Sequence, residues 1–250
     1  MKIARVRHQG RVSYALIEGD EALFLKGFPA PEPIPVGERV PLEETVLLAP
    51  CTPSKIIALG LNYKDHAQEL GLPLPQEPLI FLKPPSALIG PGEKIVLPTQ
   101  SKRVDYEGEL AVVIGRRAKA VSLEEALDYV LGYTCFNDVT ARDLQKRDGQ
   151  WTRAKSFDTF APCGPWIETS IDPTNLKIET FLNGEKRQSS STRELVFSVP
   201  EIISFISQIM TLWPGDIIAT GTPPGIGPLK SGDTIEISIQ HVGKLTNQVL

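Results

Sequence analysis

The stretch RVDYEGELAVVIG, from Arg103 to Gly115, begins with charged residues and ends in an apolar run. Residues 109–115 have the length and composition of a buried β-strand. Two acids, Glu107 and Glu109, stand at its start. In a strand, residues two apart point to the same face, so these carboxylates would lie side by side, with Cα atoms about 6.6 Å apart.

Two neighbouring carboxylates need a partner if they are buried. At an effective dielectric constant of about 20, bare charges at this separation repel by roughly 2.5 kcal/mol, and burial adds a desolvation cost. A shared cation removes both costs, whereas a pair that faces water has little repulsion to relieve. Asp138 is a third acid, after the mostly apolar run YVLGYTCFN, where an unpaired charge is costly. If it converges with Glu107 and Glu109, the three carboxylates suit a hard divalent ion such as Mg²⁺ or Mn²⁺.

The chain has 250 residues, a net charge of −4 and no basic block. The length suits one large domain, or one domain with a small attachment, and the charge pattern argues against a nucleic-acid partner. No signal peptide is evident, and no segment approaches the roughly 18 apolar residues of a membrane helix, so no membrane association is expected. The widely spaced Cys51, Cys135 and Cys163 indicate buried, reduced thiols in a cytoplasmic protein.

Strand-like segments outnumber helix-like ones in this sequence. The predicted strands cover residues 2–8, 11–18, 22–26, 55–60, the apolar segment LIFL at residues 79–82, and residues 109–115, 132–137, 177–182, 216–220, 233–240 and 244–249. The predicted helices are a short one from an Asn62 cap to Gly71, residues 122–131 behind a Ser122–Glu125 capping box, residues 139–147, and one that begins at a Ser198–Glu201 capping box. This order favours an α+β fold with a mixed, mainly antiparallel sheet. A proline-rich connector divides a small N-terminal β module, residues 1–48, from residues 49–250.

His66 and Glu69 lie three residues apart in NYKDHAQEL, on one face of the predicted helix. The carboxylate could orient the imidazole, which could then activate a water; an exposed polar helix is the alternative. Lys155, in RAKSF, could neutralise a substrate carboxylate or an enolate oxygen, or lay its stem along the surface. Gly60 and Gly71 flank the predicted helix of His66 and would allow this segment to move.

Arg142 follows Asp138 by four residues. The two could pair along a helix, or Arg142 could bind a carboxylate with its guanidinium fork. Gln145 is one turn further along and could reach the same pocket. The stretch GTPPGIG, residues 221–227, lacks the terminal Gly-Lys-Ser/Thr of a phosphate-binding loop, and its two prolines supply no amide donors. A tight turn is the simplest interpretation of this stretch.

Four blocks, DYEGELAVVIG, NDVTARDLQ, AKSFDTFAPCGPW and GDIIATGTPPGIGP, occur in this order. Over roughly residues 50–250 they resemble the fumarylacetoacetate hydrolase family. The resemblance implies that family's fold, with residues 49–250 as the catalytic domain, a homodimer, and a bound Mg²⁺ or Mn²⁺ ion. It implies metal ligands at Glu107, Glu109 and Asp138, catalytic roles for His66, Glu69 and Lys155, and contact of Thr222 with a substrate carboxylate. Arg142 and Gln145 are expected to bind the substrate as well.

The resemblance further implies an enzyme that breaks C–C bonds in small 2-oxo or β-keto acids. Acylpyruvate hydrolysis and oxaloacetate decarboxylation are the favoured reactions, each through an enolate that the metal stabilises. The same chemistry serves a 2-hydroxyhepta-2,4-diene-1,7-dioate isomerase of aromatic catabolism, which is the alternative. A non-catalytic metal-binding module is a third interpretation, although His66, Glu69 and Lys155 argue against it because a structural cation site would need none of them.

Overall fold

The computed structural model describes residues 1–250 and consists mostly of strands. The first ten strands are β1 (Lys2–His8), β2 (Arg11–Glu18), β3 (Glu21–Leu25), β4 (Pro35–Pro41), β5 (Val46–Leu48), β6 (Ile56–Gly60), β7 (Leu79–Lys83), β8 (Leu88–Ile89), β9 (Lys94–Ile95) and β10 (Val104–Tyr106). The others are β11 (Gly108–Ile114), β12 (Val130–Asn137), β13 (Thr140–Ala141), β14 (Ala161–Glu168), β15 (Lys177–Leu182), β16 (Glu185–Ser191), β17 (Ile217–Ala219), β18 (Gly227–Pro228), β19 (Thr234–Ile239) and β20 (Gly243–Val249). The helices are α1 (Lys64–Leu70), α2 (Arg142–Asp148), α3 (Thr152–Lys155) and α4 (Val199–Ile209).

The strands form three sheets. The largest has twelve strands in the order β4-β3-β2-β1-β14-β12-β11-β17-β6-β7, with β5 also on β1 and β8 also on β14. A five-stranded sheet has the order β16-β15-β19-β20-β9, and a three-stranded one the order β13-β10-β18. Only three pairs are parallel, β14 with β8, β17 with β6, and β20 with β9. The predicted α+β fold with a mixed, mainly antiparallel sheet is therefore confirmed.

Strand β11, the apolar end of the stretch quoted first, is buried along its whole length. Leu110, Val112 and Ile114 pack into a core that also contains residues of α4 and the five-stranded sheet, whereas Ala111 and Val113 face a second core. Such alternation is expected of a strand with apolar layers on both faces. Because β12 and β17 flank β11, the acids at its start are anchored in the most buried part of the fold.

The N-terminal strands continue the large sheet. Strand β1 pairs with β14 through Lys2 with Glu168 and Ile3 with Ile167, and Ile3 belongs to the same core as Ala111. Residues 1–48 thus share a sheet with the rest of the chain. Their status as a separate domain stays a prediction.

Helix α4 begins as its capping box predicts. The Ser198 amide donates to Glu201 Oε2 at 2.7 Å, and Pro200 occupies the first turn, where its missing amide hydrogen is no loss. The buried face of this helix consists of Val199, Ile202, Ile203 and Ile206. None of the four helices combines the length and apolarity that a membrane crossing requires.

The helix predicted over residues 122–131 is wrong. The capping contact forms, because the Glu125 amide donates to Ser122 Oγ at 3.3 Å, but only one 3₁₀ turn, Ala126–Tyr129, follows it. Val130 already belongs to β12, where it pairs with Ile114. The last two residues of the predicted helix therefore belong to the sheet, and tertiary pairing outweighs the local helix preference.

Two other helices differ from the prediction at their N-termini. The helix predicted from residue 139 begins at Arg142, because Thr140 and Ala141 form a strand that pairs with β10. Helix α1 ends at Gly71 in the left-handed conformation, as predicted, but Asn62 does not cap it. The Asn62 side chain instead donates to the Thr220 carbonyl at 2.8 Å, so it links this turn to another loop.

Candidate active site

The three acids converge at one point. Glu109 is the second residue of β11, and Asp138 follows β12, its antiparallel neighbour. The Asp138 amide donates to the Glu107 carbonyl at 2.8 Å, which fixes the two backbones side by side. One carboxylate oxygen from each acid lies within 4.8 Å of the others. All three residues are buried, with exposures of 6%, 1% and 1% for Glu107, Glu109 and Asp138.

Three basic side chains contact this acidic cluster. Lys155 Nζ donates to Glu107 Oε2 at 2.8 Å and to Asp138 Oδ2 at 2.5 Å. Lys83 Nζ donates to the other Asp138 oxygen at 2.6 Å, and the Arg142 guanidinium donates to Glu107 Oε1. Because neither lysine is exposed by more than 2%, these ion pairs lie in an environment of low dielectric.

The acids differ in their electrostatic environment. Burial alone would raise the pKa of Glu107, but the charges of Lys155 and Arg142 outweigh it and hold that pKa well below its usual range. Burial raises the pKa of Glu109 well above its usual value, and the negative charges of Asp138 and Glu107 add to the rise. Glu109 is therefore the carboxylate of the cluster whose buried negative charge is not balanced by a basic neighbour.

His66 and Glu69 form the predicted pair on helix α1. Nδ1 of His66 lies 2.9 Å from Glu69 Oε2, and Glu69 Oε1 accepts a hydrogen bond from the Gly225 amide at 3.1 Å. His66 is buried, whereas 41% of the Glu69 side chain is exposed. With Nδ1 engaged by the carboxylate, Nε2 is the imidazole nitrogen left without a protein partner.

Of the two possibilities for Arg142, pairing with Asp138 along a helix does not occur, because helix α2 begins only at Arg142 and the two lysines occupy both Asp138 oxygens. Arg142 Nε instead donates to the buried Asp105 at 2.9 Å. Its Nη1 donates to Gln145 Oε1 at 2.7 Å. One guanidinium thus joins Asp105, Gln145 and Glu107, and its own position is fixed by all three.

Thr222 contacts the backbone between the two glutamates. Its Oγ1 donates to the carbonyl of Gly108, the residue between Glu107 and Glu109, at 3.0 Å, and it accepts a hydrogen bond from Gln188 Nε2 at 2.9 Å. The hydroxyl hydrogen is therefore already in use. Contact of Thr222 with a substrate carboxylate stays a prediction.

A cavity of about 270 Å³ brings the predicted residues together. Its lining includes seven of the nine candidates, namely His66, Glu107, Glu109, Arg142, Gln145, Lys155 and Thr222. The other two, Glu69 and Asp138, contact it through their partners His66 and Lys155. The remaining lining is mostly apolar. The sequence candidates thus form one site although they are spread over more than 150 residues of the chain.

Comparison with known proteins agrees with this geometry. Residues 55–250 match the family model described as fumarylacetoacetate (FAA) hydrolase, C-terminal, and residues 1–50 match one described as Rv2993c-like, N-terminal. The chain belongs to the fumarylacetoacetate hydrolase family. The resemblance drawn from the four sequence blocks is therefore confirmed.

Three relatives illustrate the range of this family. The crystal structure of 5-carboxymethyl-2-hydroxymuconate delta-isomerase from Mycobacterium smegmatis is 44% identical, with a TM-score of 0.95 over 100% of this chain and 99% of that one. Oxaloacetate tautomerase FAHD2A, mitochondrial, from Bos taurus is 47% identical over 84% of this chain and 71% of its own length. Maleylpyruvate hydrolase from Sphingobium sp. SYK-6, in complex with manganese(II) and pyruvate, is 34% identical, with a TM-score of 0.82 over 100% and 99% of the two chains. Relatives in the fumarylacetoacetate hydrolase family thus include an isomerase, a tautomerase and a hydrolase.

The residues of this fumarylacetoacetate hydrolase family member fit a hard divalent cation. Three buried carboxylates supply oxygen donors within 4.8 Å of one another, which is the ligand type that Mg²⁺ and Mn²⁺ prefer. Glu109 Oε2 accepts a hydrogen bond from the Gly221 amide at 2.8 Å, while its Oε1 has no protein donor. The raised pKa of Glu109 also indicates a carboxylate that would gain from an added positive charge.

Sequence reasoning missed Lys83, Phe81 and Trp151. Lys83 ends β7, whose sequence is LIFLK, and residues 79, 81 and 83 share one face of this strand. Leu79 and Phe81 line the cavity, and Lys83 reaches Asp138 from the same face. A lysine in register with two apolar residues was the signal that could have identified it.

Proposed function

We propose that this protein is an enzyme, dependent on Mg²⁺ or Mn²⁺, that breaks C–C bonds in small 2-oxo acids by acylpyruvate hydrolysis or oxaloacetate decarboxylation. The observation that carries the proposal is one cavity that holds a buried three-carboxylate cluster, the His66–Glu69 pair and two basic side chains. A purely structural cation site would not need the pair or the open cavity.

Glu107, Glu109 and Asp138 would hold the cation. When bound, it would supply Lewis-acid polarisation of the 2-oxo group and stabilise an enolate. Without it, the cluster, together with Asp105 and the basic partners, is formally neutral: four carboxylates (Asp105, Glu107, Glu109 and Asp138) are balanced by three buried or nearly buried basic groups (Lys83, Arg142 and Lys155) and the half-exposed Arg103. A divalent ion leaves an excess of two positive charges, which suits a substrate with two negative charges. Both the oxaloacetate dianion and the enolate of a 2-oxo acid meet this condition.

His66 would move the proton. Glu69 fixes the imidazole through Nδ1, so that Nε2 can accept a proton from a water molecule or from C3 of a 2-oxo acid. In hydrolysis the activated water would attack the acyl carbonyl of an acylpyruvate. In decarboxylation the pair would have no proton to remove, and the reaction would rest on charge stabilisation alone.

The basic residues would orient the substrate. Lys155 lines the cavity and is bonded to Glu107 and Asp138, and a cation that shares these carboxylates weakens both ion pairs. The ammonium would then neutralise a substrate carboxylate. Arg142 holds Gln145 in position, so its guanidinium and the Gln145 amide would meet the substrate as one unit, with Thr222 opposite.

The relatives support a second candidate function. Isomerisation of 2-hydroxyhepta-2,4-diene-1,7-dioate and tautomerisation of oxaloacetate use the same enolate, and relatives named for an isomerase and for an oxaloacetate tautomerase are 44% and 47% identical to this chain. His66 would serve both of these reactions, because each one moves a proton at a carbon conjugated with the 2-oxo group, C3 in the tautomerisation and C5 in the isomerisation. A non-catalytic metal-binding module is the remaining alternative.

A substrate panel tests the proposal. Oxaloacetate, acetylpyruvate, fumarylpyruvate and the hydroxy-dienoate are each incubated with Mn²⁺ or with EDTA, and the products are resolved by NMR. We expect turnover that chelation abolishes and that His8→Ala keeps, since His8 bonds only to the Glu44 carbonyl, far from the cavity. His66→Ala should lose acylpyruvate hydrolysis but keep oxaloacetate decarboxylation, in which the pair moves no proton. If no member of the panel reacts in the presence of metal, the binding-module alternative stands instead.

We also propose a homodimer in the cytoplasm. The family resemblance supports the dimer, and light scattering of the purified protein measures it directly. All three cysteines are buried and unpaired, which suits a reducing compartment. A single-chain mass in solution would contradict the dimer.

A further inference from the structure

The cavity has two chemically different halves. Every charged side chain that lines it belongs to the acidic cluster, its basic partners or His66. The other half is formed mainly by Leu70, Leu72, Leu79, Phe81 and Trp151. A small polar acid would fill only the first half, so the second half requires its own explanation.

The apolar wall begins at the catalytic ammonium. Lys155 Nζ lies 4.9 Å from the centre of the Phe81 ring, and the Phe81 and Trp151 rings meet edge to face at 5.2 Å. A Cβ added to Gly60 would approach the Trp151 ring to 2.8 Å and Leu79 to 3.2 Å. The wall is therefore closely packed and leads outward from Lys155 through Phe81 and Trp151 to Leu79.

The outer rim of this wall consists of half-exposed leucines. Leu70, Leu72 and Leu79 are exposed by 47%, 50% and 48%. They come from the end of helix α1, from the residues after it and from strand β7. Three half-exposed leucines around one opening indicate a surface that an apolar group covers.

No basic side chain is available in this half. The two that line the cavity, Lys155 and Arg142, both contact Glu107 of the acidic cluster, and the proposed function assigns both of them to the 2-oxo acid end of the substrate. A second substrate carboxylate placed among the leucines would lose hydration without gaining a partner, which is costly. A dioate of seven carbons would put its far carboxylate in this position.

We propose that the substrate is a 2,4-dioxo acid whose acyl group ends in an apolar alkyl or aryl tail, which lies against Phe81, Trp151 and the leucine rim. This rests on the proposed function, whose chemistry takes place at the other half of the cavity. The 1,7-dioate considered as an alternative would be a poor substrate. Acetylpyruvate would be accepted but would leave the wall uncovered.

A matched pair of substrates tests this proposal. Succinylpyruvate and 7-methyl-2,4-dioxooctanoate differ only in the tail, where an isopropyl group replaces a carboxylate of the same shape. We expect kcat/KM with Mn²⁺ to be at least about tenfold higher for the isopropyl compound, from burial of its methyl groups. An equal or lower value overturns the proposal.

A matched pair of variants tests whether the leucine rim causes the preference for the apolar tail. Leu79→Arg places a cation at the rim and should lower the isopropyl-to-carboxylate ratio by about tenfold or more. Leu82→Arg is the control, because Leu82 lies on the same strand and is also 48% exposed but does not line the cavity. An unchanged ratio in Leu79→Arg, or an equal change in both variants, overturns the proposal.

Failure of the proposed function can be distinguished from failure of the apolar-tail proposal. If neither acetylpyruvate nor oxaloacetate is turned over, that function fails, and the tail preference is then measured as binding. Calorimetric titration of the protein with the same two acids in Mn²⁺ gives their Kd values. Tighter binding of the isopropyl compound supports the apolar subsite without turnover, and tighter binding of succinylpyruvate overturns it.

Discussion

The ammonium of Lys83 lies 2.6 Å from Oδ1 of Asp138, and both side chains are exposed by 1% or less. Burial lowers the pKa of Lys83, while Asp138 opposes that change. The second Asp138 oxygen is bonded to Lys155. Lys83 and Lys155 together therefore offset the buried negative charge of Asp138 at the candidate metal site.

Replacing Lys83 by Met should leave Asp138 with a single basic partner. Breaking one side of a buried ion pair costs about 3–5 kcal/mol, so the free energy of unfolding should fall by this order in urea titrations without metal. Mn²⁺ should restore more of the stability in Lys83→Met than in the wild type, because the cation replaces the lost charge. The double variant with Asp138→Asn should be less destabilised than the sum of the two single variants, and simple additivity would contradict the pairing.

The His66–Glu69 contact predicts a split between catalysis and metal binding. Glu69→Gln keeps the shape but removes the charge that orients the imidazole, and His66→Ala removes the proton acceptor. We expect kcat to fall by roughly 10²–10⁴-fold in His66→Ala and by less in Glu69→Gln, with Mn²⁺ affinity unchanged in both. A loss of metal affinity would instead place the pair in a structural role.

The raised pKa of Glu109 predicts a metal effect that depends on pH. Burial, together with Asp138 and Glu107, raises this pKa in the metal-free protein. The folded state then holds the proton more tightly than the unfolded chain, so the contribution of Glu109 to stability falls as pH rises above the ordinary carboxyl range. A cation binds the ionised form, so the gain in Tm on adding Mn²⁺ should be larger at about pH 8 than at about pH 6.

Glu109→Gln provides the control for this pH effect. The amide keeps the size of the side chain but neither titrates nor contributes a negative charge. Scanning calorimetry should therefore show little Mn²⁺ effect on Tm at either pH. A wild-type gain that is the same at both pH values would contradict the raised pKa.

Local periodicity made the main strands predictable. Strand β11 was identified because its apolar run lies beside charged residues, and two acids of the candidate metal site, Glu107 and Glu109, stand at the start of that run. The same reasoning found His66 and Glu69, since a spacing of three residues brings side chains together on any helix. Each of these inferences depends on residues that are close in the chain.

Contacts between distant residues were not predictable in this way. Lys83 is 55 residues from Asp138, and neither local sequence indicates the other. Pairing of Arg142 with Asp138 along a helix, one of the two possibilities for Arg142, does not occur for this reason: residues 140–141 pair with β10, and lysines from elsewhere bind the carboxylate. Likewise the Ser122–Glu125 capping box was present, but pairing of Val130 with Ile114 outweighed it. Tertiary competition, rather than weak local signals, explains both errors.

Gly108 lies between Glu107 and Glu109, and we predict that any side chain at this position would disturb the three carboxylates. A Cβ at this position would come within 2.2 Å of the Thr180 hydroxyl oxygen, so Gly108→Ala should displace the strand start and both acids. Overpacking of this kind costs about 1–3 kcal/mol, and Mn²⁺ affinity should fall by about tenfold or more because the three carboxylates no longer converge.

The Thr180 hydroxyl has no hydrogen-bond partner, which makes a rescue experiment available. Thr180→Ala removes the clashing oxygen without breaking a hydrogen bond, so this single variant should bind Mn²⁺ like the wild type. Combined with Gly108→Ala, it should recover most of the lost affinity in calorimetric titrations. If the double variant binds no better than Gly108→Ala alone, the loss does not come from the contact with Thr180, and the glycine is needed for its backbone instead.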